Sequence, residues 1–539
     1  MNKHLFSLIS IFMCLLAGSA LNAQGEIEAL RFGNLEPTGS ARITGMAGAG
    51  STLGADLSAA NLNPGALAQL RRGELMITTR FNLHSIESQY IDGLRSSNFS
   101  QLQLHQLGAA FVSPRYVGYG RKRKPATSGL IHTNVAIGYQ KLASYKRDVR
   151  AKGFNPFSSI TDAFAENANG TFPEDLNDFS FSGLAWGTLA INNITGFDNQ
   201  YFGSGVGGQV EQNIRIRETG NRSAAFASLG LNFDNKIFVG ATLTGLSLNH
   251  SYRWSFTEED VNNVHTFFQD NPQDPNFPLE FPMNSVLTTD DIETSGYGVS
   301  GNIGVVVSPT NSVRLGVSVQ LPGVILNNEI YRREMQHSVT FVDQFGQDSI
   351  GTSSIATPEA ENSYNLNTPY GFTVGGTYLF GKSGFITADV GVLDYSSTRL
   401  RSPYLEDDPF YYGYTEENER IGTIYQPAVN LRLGGEYRAD LIRLRAGVAY
   451  EGSPLTTEAR LYEDPENPGE TLTADYSTLR FAAGLGVRGQ KAFMDFAFQS
   501  SISKGKVSPY TTDAASGFDP TLLTSQATNQ IVLTLGVKL

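Results

Sequence analysis

Ile531, Leu533, Leu535, Val537 and Leu539 share one face of a strand at the end of the sequence, and Thr534, Gly536 and Lys538 share the other. Successive side chains of a strand point to opposite faces, so this segment has one wholly apolar face that no later segment covers. In water such a face promotes aggregation. In a bilayer it matches the lipid-facing wall of a β-barrel.

The same alternation recurs upstream in pairs. Ala225, Ala227, Leu229, Leu231 and Phe233 run to an Asp234-Asn235 turn, followed by Ile237, Val239, Ala241 and Leu243. There the apolar phase slips to Leu246 and Leu248, which predicts a β-bulge near Gly245. Val299 to Val307 turns at Pro309-Thr310-Asn311 into Val313, Leu315, Val317, Val319 and Leu321, and Arg314 on the opposite face fixes the register. Further pairs turn at Gly381-Lys382-Ser383, Arg438-Ala439-Asp440 and Arg488-Gly489-Gln490. With weaker strands at Glu74–Leu83, Leu102–Ser113 and Ile131–Tyr145 the count is about fourteen, and the even number suits a single-chain barrel. Long polar segments separate the pairs (146–221, 257–293, 342–367, 399–425, 451–476 and 504–527), so tight turns lie at one end and long loops at the other. The predicted fold class is all-β, a transmembrane antiparallel barrel over residues 73–539 in a bacterial outer membrane.

Composition narrows the chemistry. Residues 1–23 read as a secretory signal, with Lys3 and His4 before an apolar core from Leu5 to Leu16 and a cut after Ala23. Cys14, the one cysteine, falls inside that core, which leaves disulfides, thiolate metal sites and cysteine nucleophiles out of the mature chain. A net charge of −12 disfavours nucleic acid as a partner. Gly203-Ser204-Gly205-Val206-Gly207-Gly208 fits a dinucleotide-binding pattern but lacks the strand–helix unit that pattern needs. The histidines have no HExxH spacing and no G-x-S-x-G elbow occurs, so neither an enzyme nor a cofactor is expected. Arg121-Lys122-Arg123-Lys124, after the second strand, reads as a solvated periplasmic turn.

Gly25 to Arg72 is rich in Gly, Ala, Ser and Asn and precedes the first strand. It either hangs in the periplasm or folds inside the lumen as a plug. Pro64 fixes its own φ and keeps Asn63 out of the helical region, so Asn63-Pro64 marks a turn of defined shape.

Thr44-Gly45-Met46-Ala47-Gly48-Ala49-Gly50, Gly54-Ala55-Asp56 and Asn63-Pro64-Gly65-Ala66-Leu67 resemble the N-terminal hatch of the FadL/TodX-type outer-membrane transporters of hydrophobic compounds, with Gly65 in place of the usual Ala. Asp394-Tyr395-Ser396, Leu433-Gly434-Gly435-Glu436-Tyr437 and Ala483-Gly484-Leu485-Gly486-Val487-Arg488 extend the resemblance along the chain, while Leu539 stands where many such barrels end in Phe or Tyr. The resemblance implies a fourteen-stranded barrel, a hatch over residues 24–72 carrying Gly48, Gly50, Asp56, Asn63, Pro64 and Gly65, and a kinked wall with a lateral exit. It also implies passive uptake of long-chain fatty acids or aromatic hydrocarbons by a monomer without a cofactor. Some relatives instead serve as accessory barrels of a protein-secretion translocon.

Three sets of residues are candidates for ligand handling. Arg314, Asp389, Arg432, Glu436, Arg443, Arg445, Arg480, Arg488 and Asp495 fall on the inferred lumen face. They either form a mixed-charge network that holds a plug, or include arginines (Arg432, Arg443, Arg445 and Arg480) that grip a ligand carboxylate. The loop from Lys146 carries Phe154, Phe157, Phe164, Phe172, Phe179, Phe181 and Trp186, and the next adds Phe267, Phe268, Phe277 and Phe281. These pack on themselves or form an external capture groove, with Phe154, Phe157 and Trp186 as its contacts. Gly138 in the third strand is the candidate kink.

Overall fold

The computed structural model describes residues 25–539 apart from 34–38, 55, 119–122, 195, 270–278, 343–346, 409–410, 457–476 and 513–519, so the expected signal segment lies outside the described residues. Fourteen antiparallel strands form the wall. They are β1 (Glu74–Tyr90), β2 (Gly93–Pro114), β3 (Leu130–Ser144), β4 (Val210–Phe233), β5 (Ile237–Glu259), β6 (Leu279–Val307) and β7 (Val313–Val342). The rest are β8 (Tyr370–Leu379), β9 (Gly384–Asp394), β10 (Pro427–Ala439), β11 (Ile442–Glu451), β12 (Thr478–Arg488), β13 (Ala492–Val507) and β14 (Leu522–Lys538). The C-terminal strand closes the ring on the first, from Glu74 opposite Lys538 to Tyr90 opposite Leu522.

The apolar face predicted for the last strand is the outer one: Leu535 and Val537 are exposed, and Thr534 is fully buried inside. No described helix is long and apolar enough to cross a membrane. The closed wall with its apolar exterior makes the chain an outer-membrane barrel. Asp234 and Asn235 take φ of 55° and 54°, the left-handed pair at the centre of a turn in which Lys236 N–H donates to Phe233 O at 2.9 Å.

The bulge expected at Gly245 is absent. β5 keeps unbroken register with β4 and β6 along its length. Leu246 and Leu248 are buried on the inner face instead. Farther up, Tyr252, Trp254 and Phe256 are buried while the outward positions are Ser251, Arg253, Ser255 and Thr257. The apolar phase inverts because the medium outside the wall changes from lipid to water. For the same reason β4 to β7 run to 24, 23, 29 and 30 residues and absorb sequence expected to be loop.

The ladder breaks elsewhere, and two of those places bear on the interior. β6 and β7 shift register between Val299 and Gly301. There Gly323 N–H donates to Thr368 Oγ1 and Thr368 N–H returns to Gly323 O, both at 2.8 Å, beside Pro369, which cannot donate. The β2–β3 ladder runs only from Gln106 opposite Gln140 down to Pro114 opposite His132, although both strands continue upward.

The short turns place Asn235, Thr310, Ser383, Ala439 and Gly489 at the periplasmic end and Asp407 at the other. Cysteine at the first five should resist an impermeant thiol reagent on intact cells, and Asp407→Cys should react. The reverse pattern would invert the barrel.

Candidate functional site

Residues 39–70 lie inside the barrel, almost all buried. The segment winds through three one-turn helices, α2 (Ala41–Thr44), α3 (Ala59–Leu62) and α4 (Pro64–Leu67), preceded by α1 (Gly25–Gly33). Its glycine turn has Gly48 at φ 84° and Gly50 at φ 151°, conformations that side chains rarely adopt. That turn aims Gly50 N–H and Ser51 N–H at Asp389 Oδ2, 2.7 and 3.0 Å away, while Ser51 Oγ donates to Asp389 Oδ1 at 2.6 Å. Asp56 stitches the segment to itself, accepting from Ser40 Oγ at 2.6 Å and Ser58 N–H at 2.9 Å.

Asn63 caps α4 by accepting from Gly65 N–H at 3.0 Å, with Pro64 in the first turn, where its missing N–H costs nothing. Its amide also reaches the carbonyls of Val305 and Val317, at 3.4 and 3.3 Å, on two wall strands. A Cβ on Gly65 would lie 2.8 Å from Gly304 O and 2.9 Å from Phe238 O. Glycine at this position therefore lets the segment's backbone press against β5 and β6.

The lumen arginines divide. Arg445 is fully buried, with Nε on Glu436 at 2.9 Å and Nη1 on Asp495 at 2.7 Å. Arg42 of the inner segment joins Glu436 at 3.2 Å, and Arg488 joins Asp495 at 2.7 Å. This network ties segment to wall, and Arg445 has no approach for a ligand. Arg443 donates to the Ile442 carbonyl at 2.8 Å at the periplasmic turn. Arg480 and Arg432 meet higher up around Glu451, at 2.7 and 4.0 Å. The four arginines do not form one site.

Above the segment lies a cavity of about 360 Å³, lined by Ile27 and Leu30 of α1, Leu393, Tyr395, Val507 and Arg480. Leu30, Leu246, Leu248, Leu393 and Tyr395 belong to one apolar cluster with Phe32, whose ring meets Tyr145 and His250 edge-on at 5.7 and 5.3 Å. The sequence signal for this cluster was the inverted phase at Leu246 and Leu248. α1 had no comparable signal, because Glu26, Glu28 and Arg31 are interleaved with its apolar residues and two of the three are buried in ion pairs.

The roof is the loop after β3. Its helices α5 (Ile160–Ala168) and α6 (Phe181–Gly187) pack Phe164 and Phe181 against Trp254, Phe256 and Tyr510. Phe154 is half-buried, Phe157 is 51 % exposed, and Trp186 stacks edge-on against Tyr201, so these three do not line one external groove. The side chains of Phe267, Phe268, Phe277 and Phe281 lie outside the described residues.

Gly138 is in unbroken register between Gly108 and Phe226. Its missing Cβ leaves room for the Phe226 ring, which a Cβ would meet at 2.8 Å. The irregularities lie slightly higher, between Lys141 and Ala143 on β3 and opposite His105 on β2. At that level Ser58 Oγ donates to Gln106 at 3.2 Å and Asn61 donates to Gln140, so the inner segment holds both strands where their ladder ends.

Two predictions follow from these contacts. Gly65→Ala should cost about 1–3 kcal/mol by overpacking and raise ion conductance in planar bilayers; conductance equal to the parent would contradict the close approach. The roof is sensitive to pH. Glu258, above the membrane on β5, accepts from Ile160 N–H and Gln212 at 2.7 and 2.6 Å, and burial pushes its pKa up to about 7. Burial likewise raises Asp162 in the first turn of α5 to about 6. Between about pH 4.5 and 7 the folded roof holds a proton at Glu258 that the unfolded chain releases, so stability falls as pH rises through that window. Limited proteolysis of residues 156–209 should be slower at the acid end, and Glu258→Gln should flatten the difference. A cut rate independent of pH in the parent would refute this.

No family model matches the sequence, and no curated protein does. Among solved structures, 94% of the chain aligns with 99% of a FadL homologue from Pseudomonas aeruginosa at 14% identity and a TM-score of 0.49. The toluene transporter TodX of P. putida aligns over 94% of this chain and 99% of its own at 11% identity and a TM-score of 0.48. The toluene transporter TbuX of Ralstonia pickettii aligns over 93% and 98% at 13% identity and a TM-score of 0.44. Likeness at this level carries no function across to this chain.

Proposed function

We propose that the chain is a passive outer-membrane channel for hydrophobic small molecules, of the class of long-chain fatty acids or aromatic hydrocarbons. The observation that carries this reading is the cavity above the inner segment, at the level where the β2–β3 ladder ends, in which an apolar side of Ile27, Leu30, Leu393, Tyr395 and Val507 meets a polar side that includes Arg480, Glu451 and Lys504. A greasy ligand enters past the roof, rests beside Leu30, Leu393 and Tyr395, and leaves sideways when the inner segment releases Gln106 and Gln140. Residues 25–72 are then both floor and gate.

Each buried methylene contributes about 0.8 kcal/mol, whereas a hydrogen bond to a charged group gives about 1.5–3 kcal/mol. Arg480 already serves Glu451, so a carboxylate head group competes with that carboxylate for it. The tail therefore dominates affinity, and Arg480 and Arg432 tune the choice of head group.

Uptake of oleate and of toluene by cells carrying the parent, Leu393→Lys, or no barrel tests this. The parent should exceed the barrel-free strain for at least one compound, and Leu393→Lys should lose about tenfold of that excess, because a desolvated ammonium is costly in the cavity. A parent no faster than the barrel-free strain for both compounds would overturn the transport reading, and full activity in Leu393→Lys would move the route away from this cavity.

A further inference from the structure

The basic turn after β2 and the arginines at the lower end of the lumen have no part in that route. Arg314, Arg438, Arg443, Arg488 and Lys538 all occupy inward positions at the periplasmic ends of their strands, flanked by outward Leu315, Tyr437, Ile442, Val487 and Val537. They are near one another. Arg314 feels the charges of Arg42, Arg438 and Arg71, and Lys538 those of Arg488, Arg72 and Arg443 together with the one carboxylate Glu74.

Their partners are unevenly supplied. Arg438 pairs with Glu436 at 3.0 Å, and Lys538 donates to the Gly489 carbonyl at 2.9 Å. Arg71, Arg72 and Arg314 have no acidic partner among the described residues. The half-buried Arg314 has only cations for charged neighbours. An unpaired, partly desolvated guanidinium among like charges is unfavourable until an anion arrives.

The basic surface continues outward. Between β2 and β3 a small hairpin pairs Tyr116–Val117 with Lys124–Pro125, Tyr116 and Val117 are exposed, and the Arg123 guanidinium lies 4.8 Å over the Tyr116 ring. In the sequence of the six short turns at this end only Asp234 and Asp440 are acidic, although the whole chain has a net charge of −12.

We propose that this periplasmic mouth docks a carboxylate-rich segment of a periplasmic protein. The cations face the lumen axis rather than the surrounding lipid, which favours a partner from the aqueous side over phospholipid head groups. They extend from the mouth to the hairpin, which favours a polyanion over a single small anion. Guanidinium forks match carboxylates in geometry, and complementary charge of this kind speeds encounter. A segment bound here touches Arg71 and Arg72, the link between the inner segment and β1.

The test uses full-length protein in nanodiscs of phosphatidylcholine and, as probe, fluorescein-labelled octaglutamate followed by anisotropy at low and high salt. The peptide should bind at low salt and weaken as salt shortens the Debye length to a few ångströms. The combined Arg71→Gln, Arg72→Gln and Arg314→Gln variant should bind at least about tenfold more weakly while keeping the heat-modified gel shift of a folded barrel. If that triple variant does not fold, Arg71→Gln with Arg72→Gln, both exposed, should still show a loss of several fold. No binding by the parent, or equal binding by the folded variant, would overturn the proposal. Displacement by inorganic phosphate at equal charge would replace it with a small-anion site. Loss of peptide binding when phosphatidylglycerol is added to the nanodisc would assign the mouth to lipid head groups instead.

Discussion

Each long strand of this barrel meets two pairs of solvents. In its lower half the outer face meets lipid and the inner face meets a polar, hydrogen-bonded segment. In its upper half the outer face meets water and the inner face meets apolar clusters beneath and within the roof. A strand cannot rotate about its axis without losing its ladder, so the sequence reverses which face is apolar. On β5 the reversal falls between Leu243, 69 % exposed to lipid, and Leu246, buried within. The cavity lies just inside that boundary, which places a chamber with one apolar side beside the outer edge of the membrane.

The lower half keeps its polar filling in place by charge and by backbone proximity. Arg42, Glu436, Arg445, Asp495 and Arg488 form a chain of buried ion pairs from the inner segment to four wall strands. Removing one member of such a chain strands the others, which typically costs about 3–5 kcal/mol. Asp389 adds a second tether by gathering two backbone amides and a hydroxyl. Glycines on both sides, Gly65 on the segment and Gly240 and Gly304 on the wall, bring backbones together where any Cβ would intrude. The segment is thus held by contacts that are strong when complete and all lost together, which suits a part that is either seated or released.

Much of this was legible before any coordinates. The lipid-facing alternation of β14 and the paired strands from Ala225 onward could be read from period-two patterning, because one face of a lipid-exposed strand tolerates almost no polar residue. The upper halves of β4 to β7 could not. Their outward Arg253, Ser255 and Thr257 resemble loop composition, and the flip at Leu246 imitates a bulge. The Asn63-Pro64-Gly65 turn was visible as a turn, but its need for glycine comes from Gly304 and Phe238, far away in sequence. The arginines on the inner face were placed by alternation alone, which gives a face and not a height. Height is what separates Arg480 at the cavity from Arg445 in the ion chain and Arg443 at the periplasmic rim. Glycine often interrupts strands, yet Gly138 makes room for Phe226, and the irregularity falls between Lys141 and Ala143, where no residue type announces it.

The account turns on the change of solvent along an unbroken strand. A spin-label scan along β5, with oxygen and a water-soluble nickel chelate as collision partners, reads it directly. Labels at the outward positions Val239, Ala241 and Leu243 should collide mainly with oxygen, those at Ser251, Arg253 and Ser255 mainly with nickel, and those at Tyr252 and Trp254 with neither. If Tyr252 and Trp254 proved open to either reagent while Ser251 and Arg253 were protected, β5 would carry the bulge that its register here excludes, and the inner apolar cluster would not exist.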